Sequence, residues 1–253
     1  LAGHSKWANI KHRKGAQDKK RAKQFTRAIK DITVAVKEGG GPDADSNPTL
    51  RNAIANAKGV NMPKDTIERA IKKASGADAE NYESVTFEGY GPNGIAIYVE
   101  CTTDNTNRTV ASVRSIFSKN GGNLGTNGSL EFLFDRKGVF AIEKEKLEIS
   151  IEELELKLIE AGAEDFENEE ELLTIYTDFT DFGKMAEALE NLNIEVKNSE
   201  LQRIPLNTTE LSLEDAKKIV ALIDKFEDDD DVQNVFHTLA LTPELLKAIE
   251  EED

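Results

Sequence analysis

The residues best suited to chemistry in this chain are cations crowded at one end. Residues 1–30 carry Lys6, Lys11, Arg13, Lys14, Lys19, Lys20, Arg21, Lys23, Arg27 and Lys30 against a single acid, Asp18. Cations at this density suit a phosphate polymer, because each neutralised phosphate releases condensed counterions and makes binding steeply salt-dependent. Arg13, Arg21 and Arg27 add the planar fork that grips a phosphate or a guanine edge with two hydrogen bonds. Trp7 lies within this arm, where its ring can either stack on a base or dock the arm on the protein. His12, in the string IKHRKG, adds a donor for a phosphate oxygen.

The sorting of charge gives this segment its meaning. The 253 residues carry a formal charge of −16, yet residues 1–76 hold 17 Lys and Arg against 7 Asp and Glu. Everything beyond residue 76 is strongly acidic. A lysine-rich helix face can serve solubility alone, but an already acidic chain has no such need. Segregated charge is the expected mark of a nucleic-acid or membrane partner. The modestly apolar, alanine-rich face of the first helix argues against a membrane surface.

Other constellations carry less. Gly89, Gly91 and Gly94 match G-x-G-x-x-G, but a strand follows where a dinucleotide site needs a helix N-terminus, so a hairpin connection is expected. The Gly/Asn-rich segment 120–129 reads as a helix cap followed by a turn, or as an exposed recognition loop. The acidic runs 168–171 and 228–231 are expected as solvated loops. One cysteine, Cys101, and three histidines leave no ligand set for a zinc or histidine metal centre. No nucleophile–base pair, phosphate-cradling loop or paired-carboxylate spacing stands out. The expectation is a chain that is no enzyme, with no metal and no cofactor; a metal-dependent nuclease is the rival class. The first fifteen residues lack a secretory apolar run and no stretch approaches the ~20 residues of a membrane span, so the cytoplasm is the expected compartment.

The elements that must position these residues follow from periodicity. Ala22, Phe25, Ile29, Ile32 and Val36 recur at helical spacing, and Lys20, Lys23, Arg27 and Lys30 form a stripe expected to point the other way. Gly39–Gly41 ends this helix. A second begins at Pro48, capped by Asp45, Ser46 or Asn47, and a third follows Pro63. These two admit a loose helix-turn-helix reading, with residues 59–62 as the turn and Lys64, Arg69, Lys72 and Lys73 on the second helix. Beyond Gly76 the period changes to alternating β-branched and aromatic residues, with strands over 84–90, 94–103 and 130–135 and a helix between the last two. A second strand–helix block spans 136–204, and a helix and strand then complete the first block. The expected fold is therefore α+β and multidomain: a three-helix domain (1–76), then two ferredoxin-like α/β sandwiches. The second of these (136–204) is inserted into the first (77–135 plus 205–253).

Four strings carry a family resemblance: AGHSKWANIKHRKGAQDKKRAKQFTRAIKDI, NPTLRNAIANAKGVNMPKDTIERAIKKASG, YGPNGIAIYVECTTDNTNRTVASVRSIFSKNGGNLGTNGS and FDRKGVF. With these strings the chain resembles the YebC/PmpR family, bacterial relatives of the mitochondrial translational activator of cytochrome oxidase subunit one. The resemblance spans essentially the whole chain and is weakest over 143–200. It implies three domains and a non-enzymatic role in gene expression. Members are commonly labelled DNA-binding transcriptional regulators, while others look like translation factors acting at the ribosome on difficult nascent sequences. The implied partner is nucleic acid, DNA or RNA, with the ribosome as the alternative. The implied surface is the basic arm and first helix already named.

Overall fold

The computed structural model describes residues 17–76 and 79–251, with side chains from residue 21 onward. Among the described residues are eight α-helices and two four-stranded β-sheets. The chain divides into two compact units. One holds residues 31–76 and 136–203; the other holds 17–30, 80–135 and 204–251.

The first unit takes the C-terminal half of α1 (Gln17–Glu38), then α2 (Pro48–Gly59) and α3 (Lys64–Ala74). Their buried positions are mostly small: Ile32, Ala35 and Val36 on α1, Leu50, Ala53 and Ala57 on α2, Ile67, Ala70 and Ala74 on α3. Gly40 and Gly41 follow α1 with φ near +105° and +110°, the left-handed region that glycine enters without strain. Of the three capping candidates the structure selects Asn47. Its side chain accepts from Leu50 N at 3.0 Å and donates to Ala35 O and Gly41 O, both at 2.8 Å. One fully buried amide thus starts α2 and closes the loop from α1.

The same unit contains β4 (Phe134–Glu143), α5 (Ile151–Glu160), β5 (Ala163–Asn168), β6 (Leu172–Asp178), α6 (Phe182–Asn191) and β7 (Asn198–Pro205). The sheet order is β5-β6-β4-β7. The β4–α5–β5 connection therefore skips over β6, and the β6–α6–β7 connection skips over β4. One face buries Phe140, Ile142, Leu173 and Ile175 beneath Leu154 and Leu158 of α5 and Met185 and Leu189 of α6. β5 is missed by sequence periodicity: AEDFEN has almost no apolar alternation, and pairing with β6 alone makes it a strand. The acidic run 168–171 connects this hairpin.

At the other edge, α2 meets β7. Asn56 Nδ2 donates to Ser199 O at 2.7 Å and Asn56 Oδ1 accepts from Ser199 N at 2.9 Å. A side-chain amide thereby pairs the open edge strand as another strand would. The approach is close enough that a Cβ on Gly59 would fall 1.7 Å from Lys197 O.

In the second unit β1 (Glu83–Tyr90) and β2 (Ala96–Thr103) form a hairpin with Phe87 opposite Val99. A connection through Asn93 (φ +59°) and Gly94 (φ +75°) joins them, so the G-x-G-x-x-G string is a turn. The order is β3-β1-β2-β8, with β3 (Asn123–Leu124) short and β8 (Val232–His237) outside β2. Phe87, Ile97, Val99 and Cys101 pack under α4 (Thr106–Lys119), α7 (Leu213–Glu227) and α8 (Pro243–Glu251). Phe117 of α4 meets Phe226 of α7 edge to face at 4.7 Å. The opposite sheet face carries Ala96 and Tyr98, covered by Leu130 and Phe134. The strand expected over 130–135 is corrected: residues 131–133 form a 3-10 turn, and β4 begins only at Phe134. The third strand of this sheet lies instead in the glycine/asparagine segment. Alternation cannot reveal a two-residue strand.

Gly59→Ala is expected to lower unfolding free energy by about 2–3 kcal/mol, because a backbone carbonyl cannot yield to a methyl. Gly183→Ala, with open space around its Cβ, is expected to be neutral or slightly stabilising. Urea unfolding of both variants measures the difference.

Candidate nucleic-acid interface

Of the cations proposed from sequence, Lys6, Trp7, Lys11, His12, Arg13 and Lys14 lie outside the described residues, and Lys19 and Lys20 belong to the backbone of α1 without described side chains. Arg21 is exposed, its guanidinium 5.4 Å from the Phe25 ring. Lys23 is partly buried; that burial, joined by the charge of Arg27, lowers its pKa against the opposing pull of Asp228, Asp229 and Asp230.

Arg27 and Lys30 require a correction. They were expected on an outward stripe, but both turn onto the loop after α7. Arg27 Nε donates to Val232 O and Nη2 to Glu227 O, each at 3.1 Å. The Lys30 ammonium donates to Thr102 O at 2.8 Å, Asp230 O at 2.6 Å and Asp231 Oδ1 at 3.1 Å. These three acceptors match the three donors of an ammonium. Lys30 is 5% exposed and Asp231 6%. The physical reason is that the acidic run 228–231 is not a solvated loop throughout: it ends in a buried carboxylate that needs a counter-charge.

Asp231 is served from several elements. Arg108 of α4 donates to it from Nη2 at 2.8 Å and from Nε at 3.3 Å, Thr109 at 2.9 Å and Thr103 at 3.2 Å. Its backbone carbonyl accepts from Thr102 N at 2.8 Å. The β2–β8 register shifts between Glu100 and Cys101, beside this meeting of strand and loop. Burial pushes the Asp231 carboxyl up, but the hydrogen bonds from Arg108, Thr109 and Lys30 outweigh it and hold the group below the usual carboxylate range. Sequence reading missed Arg108 and Asp231 as partners. The available signal was an acidic run ending directly before an apolar strand.

Next to this cage lies an open cleft of about 600 Å³, lined by Lys30, Tyr82, Arg108 and Ser112 and by carboxylates of Glu80, Asp104, Asp229, Asp230 and Asp231. Five carboxylates against two engaged cations give a field that repels phosphate. Burial, aided by the hydrogen bond to Glu80, raises the pKa of Tyr82. Cys101 is pushed up to about 12 by burial and is no thiolate at neutral pH. Among the described residues no three His, Cys, Asp or Glu side chains stand close enough to hold a metal ion.

The other cationic surface is α3, where Lys64, Arg69, Lys72 and Lys73 are all exposed. Asp65 and Glu68 interrupt them. Lys64 approaches Glu68 at 3.7 Å, and Arg69 donates to Asp65 O and Thr66 Oγ1.

A two-sheet α/β chain with a basic helical start defines the class, and comparison with known proteins narrows it. Residues 5–77 match the TACO1/YebC protein N-terminal domain, and residues 82–239 match the TACO1/YebC second and third domain. The chain belongs to the TACO1/YebC family. It is 53% identical over 95% of its length to a "probable transcriptional regulatory protein" of Amoebophilus asiaticus, 98% of which is covered. A Bacillus licheniformis protein of the same description is 52% identical, over 93% of this chain and 98% of that one. The crystal structure of a conserved hypothetical protein from Aquifex aeolicus superposes with a TM-score of 0.81 at 42% identity, covering 92% of this chain and 96% of the other. Relatives are thus named as regulators rather than enzymes. No described helix is long and apolar enough to cross a membrane.

Lys30→Met is expected to cost about 3 kcal/mol, since it leaves a buried carboxylate short of its counter-charge. Asp231 contributes stability above the ordinary aspartate pKa of about 4, and that contribution is lost as pH falls through its lower folded value. Asp231→Asn should therefore lower stability at neutral pH and flatten its acid dependence, as measured by denaturant titrations at several pH values.

Proposed function

We propose that this protein is a non-enzymatic, cytoplasmic regulator of gene expression that binds nucleic acid through its basic N-terminal segment. The observation that carries this reading is the sorting of charge: ten cations and one acid in residues 1–30 of a chain whose net charge is −16. Anchoring by Arg27 and Lys30 refines it. These two cations fix the root of α1, and the binding role passes to residues N-terminal of the anchor: Lys6, Trp7, Lys11, His12, Arg13, Lys14, Lys19, Lys20 and Arg21, with Lys23 at the margin. The proposed organisation is a basic helical domain over 1–76, an α/β domain over 77–135 and 205–253, and an acidic domain inserted at 136–204. The acidic parts set geometry and keep polyanion off the rest of the surface.

The names of the relatives support transcription, with duplex DNA as target. One observation favours RNA, and with it the ribosome: α3 makes a poor major-groove reader. Lys64 and Arg69 are engaged within the helix, and two acids interrupt the row, whereas direct readout needs free forks aimed at base edges.

Replacing Lys6, Lys11, Arg13, Lys14, Lys19 and Lys20 together by Gln is expected to weaken binding about equally across sequences. The log–log salt slope should flatten by up to ~0.9 per lost duplex contact. Filter binding over a salt series checks this, and an unchanged slope overturns the mapping. Crosslinking in cells followed by sequencing of the attached nucleic acid separates a DNA regulator from a ribosome-bound factor.

A further inference from the structure

The second unit contains a loop that the basic segment does not account for. Residues 125–132 are exposed apart from Leu130, yet the loop is held from beneath by a buried acid. Glu88 of β1 is 0% exposed. One of its carboxylate oxygens accepts from Gly128 N and the other from Leu130 N, while its backbone carbonyl accepts from Gly125 N at 2.7 Å. A buried carboxyl group that accepts from two backbone N–H groups fixes the loop's path. The glycines fit the same purpose. Gly128 takes φ +81°, and a Cβ on Gly122 would lie 2.5 Å from Tyr90 O.

What the loop displays is an aromatic ring. Leu130 and Phe134 are buried against Ala96 and Tyr98, with the Phe134 ring 6.1 Å from that of Tyr98. Between these anchors Phe132 is 71% exposed. Leu206, 60% exposed, reaches the same turn through a hydrogen bond from its N–H to Leu133 O at 2.9 Å. An apolar ring held in water on an anchored loop is surface available for burial by a partner. The same exposed segment carries Asn123, Thr126, Asn127 and Ser129, neutral side chains that both donate and accept hydrogen bonds. The neighbouring Glu131 disfavours a phosphate at this point. A flat ring, neutral donors and acceptors and the lack of any Lys or Arg over residues 120–135 together match a nucleobase and not its backbone.

We infer that the Glu88-pinned loop 123–132 is a second contact surface that takes an unpaired base of single-stranded RNA, with Phe132 as the stacking platform. Unpaired bases in RNA loops and ends are the usual targets of aromatic stacking with edge hydrogen bonds. The inference rests on the nucleic-acid reading above and divides the work: cations of the N-terminal segment hold phosphates, and the loop engages a base.

The test uses the full chain and an unstructured oligouridine of about a dozen nucleotides. Phe132→Ala is expected to weaken binding roughly 5- to 100-fold with an unchanged salt slope, and Phe132→Tyr to restore it. Phe132→Trp should show more fluorescence quenching on addition of the oligouridine than the wild type, whose Trp7 gives the background, and less with the matching duplex or a deoxy oligomer. Glu88→Gln should weaken binding in the same slope-preserving way. If Phe132→Ala binds as the wild type does while the six-fold Gln variant loses affinity, the loop inference falls and the basic-segment reading stands. If the wild type binds no nucleic acid, both fall. If Phe132→Ala instead abolishes self-association of the chain, the patch joins copies of the protein and the inference is overturned.

Discussion

Lys30 occupies the position on which the second unit most depends. An ammonium cannot be taken out of water unless each donor finds an acceptor, and Lys30 finds three: two backbone carbonyls and the Asp231 carboxylate. Asp231 in turn draws on Arg108, Thr103 and Thr109. One buried pair thus ties α1, the end of β2, the start of α4 and the loop before β8 at a single point. Such a cage adds little net stability over an apolar plug of the same size, but it tolerates no half-filled state. That intolerance favours one seating of α1 over others in which a slipped helix would strand a charge.

The cage also changes the meaning of the acidic sequence around it. Four consecutive aspartates look like a solvated run; Asp229, Asp230 and Asp231 line an open cleft, and Asp231 among them is buried counter-charge. Carboxylates concentrated here leave phosphate no reason to settle near the root of α1. A basic helix can therefore lie against an acidic unit without losing its purpose, provided that the cations used for anchoring differ from those used for binding. Arg27 and Lys30 belong to the first set by their hydrogen bonds; Arg21, exposed one turn and more toward the N-terminus, does not share them.

Other polar side chains repeat the theme elsewhere. Asn47 closes the α1–α2 loop, Asn56 pairs the β7 edge, and Glu88 fixes an exposed loop. In each case one buried or half-buried polar side chain stands in for regular backbone pairing where helices and strands meet irregular chain. The glycines at 59 and 122 are there because the opposing carbonyl leaves no room for a Cβ.

Much of this was legible in the sequence because it depends on neighbours along the chain. Periodicity located α1, α2 and α3, Pro48 and the residues before it marked a helix start, and charge counting isolated the basic segment. The strand–helix alternation of 136–204 was readable for the same reason, whereas β5 and the two-residue β3 were not, since distant pairing rather than local pattern makes them strands. The outward stripe on α1 failed because spacing tells which side chains share a face but not what that face meets. Nothing in the sequence around Lys30 sets it apart; only the arrival of Asp231, two hundred residues later, turns it into a buried anchor. Sequence by itself determined the helices, the α/β character and the sorting of charge, all consequences of local propensity and composition. Tertiary structure alone decided which cations are spent inside the protein, because burial of a charge is settled by partners that folding brings together.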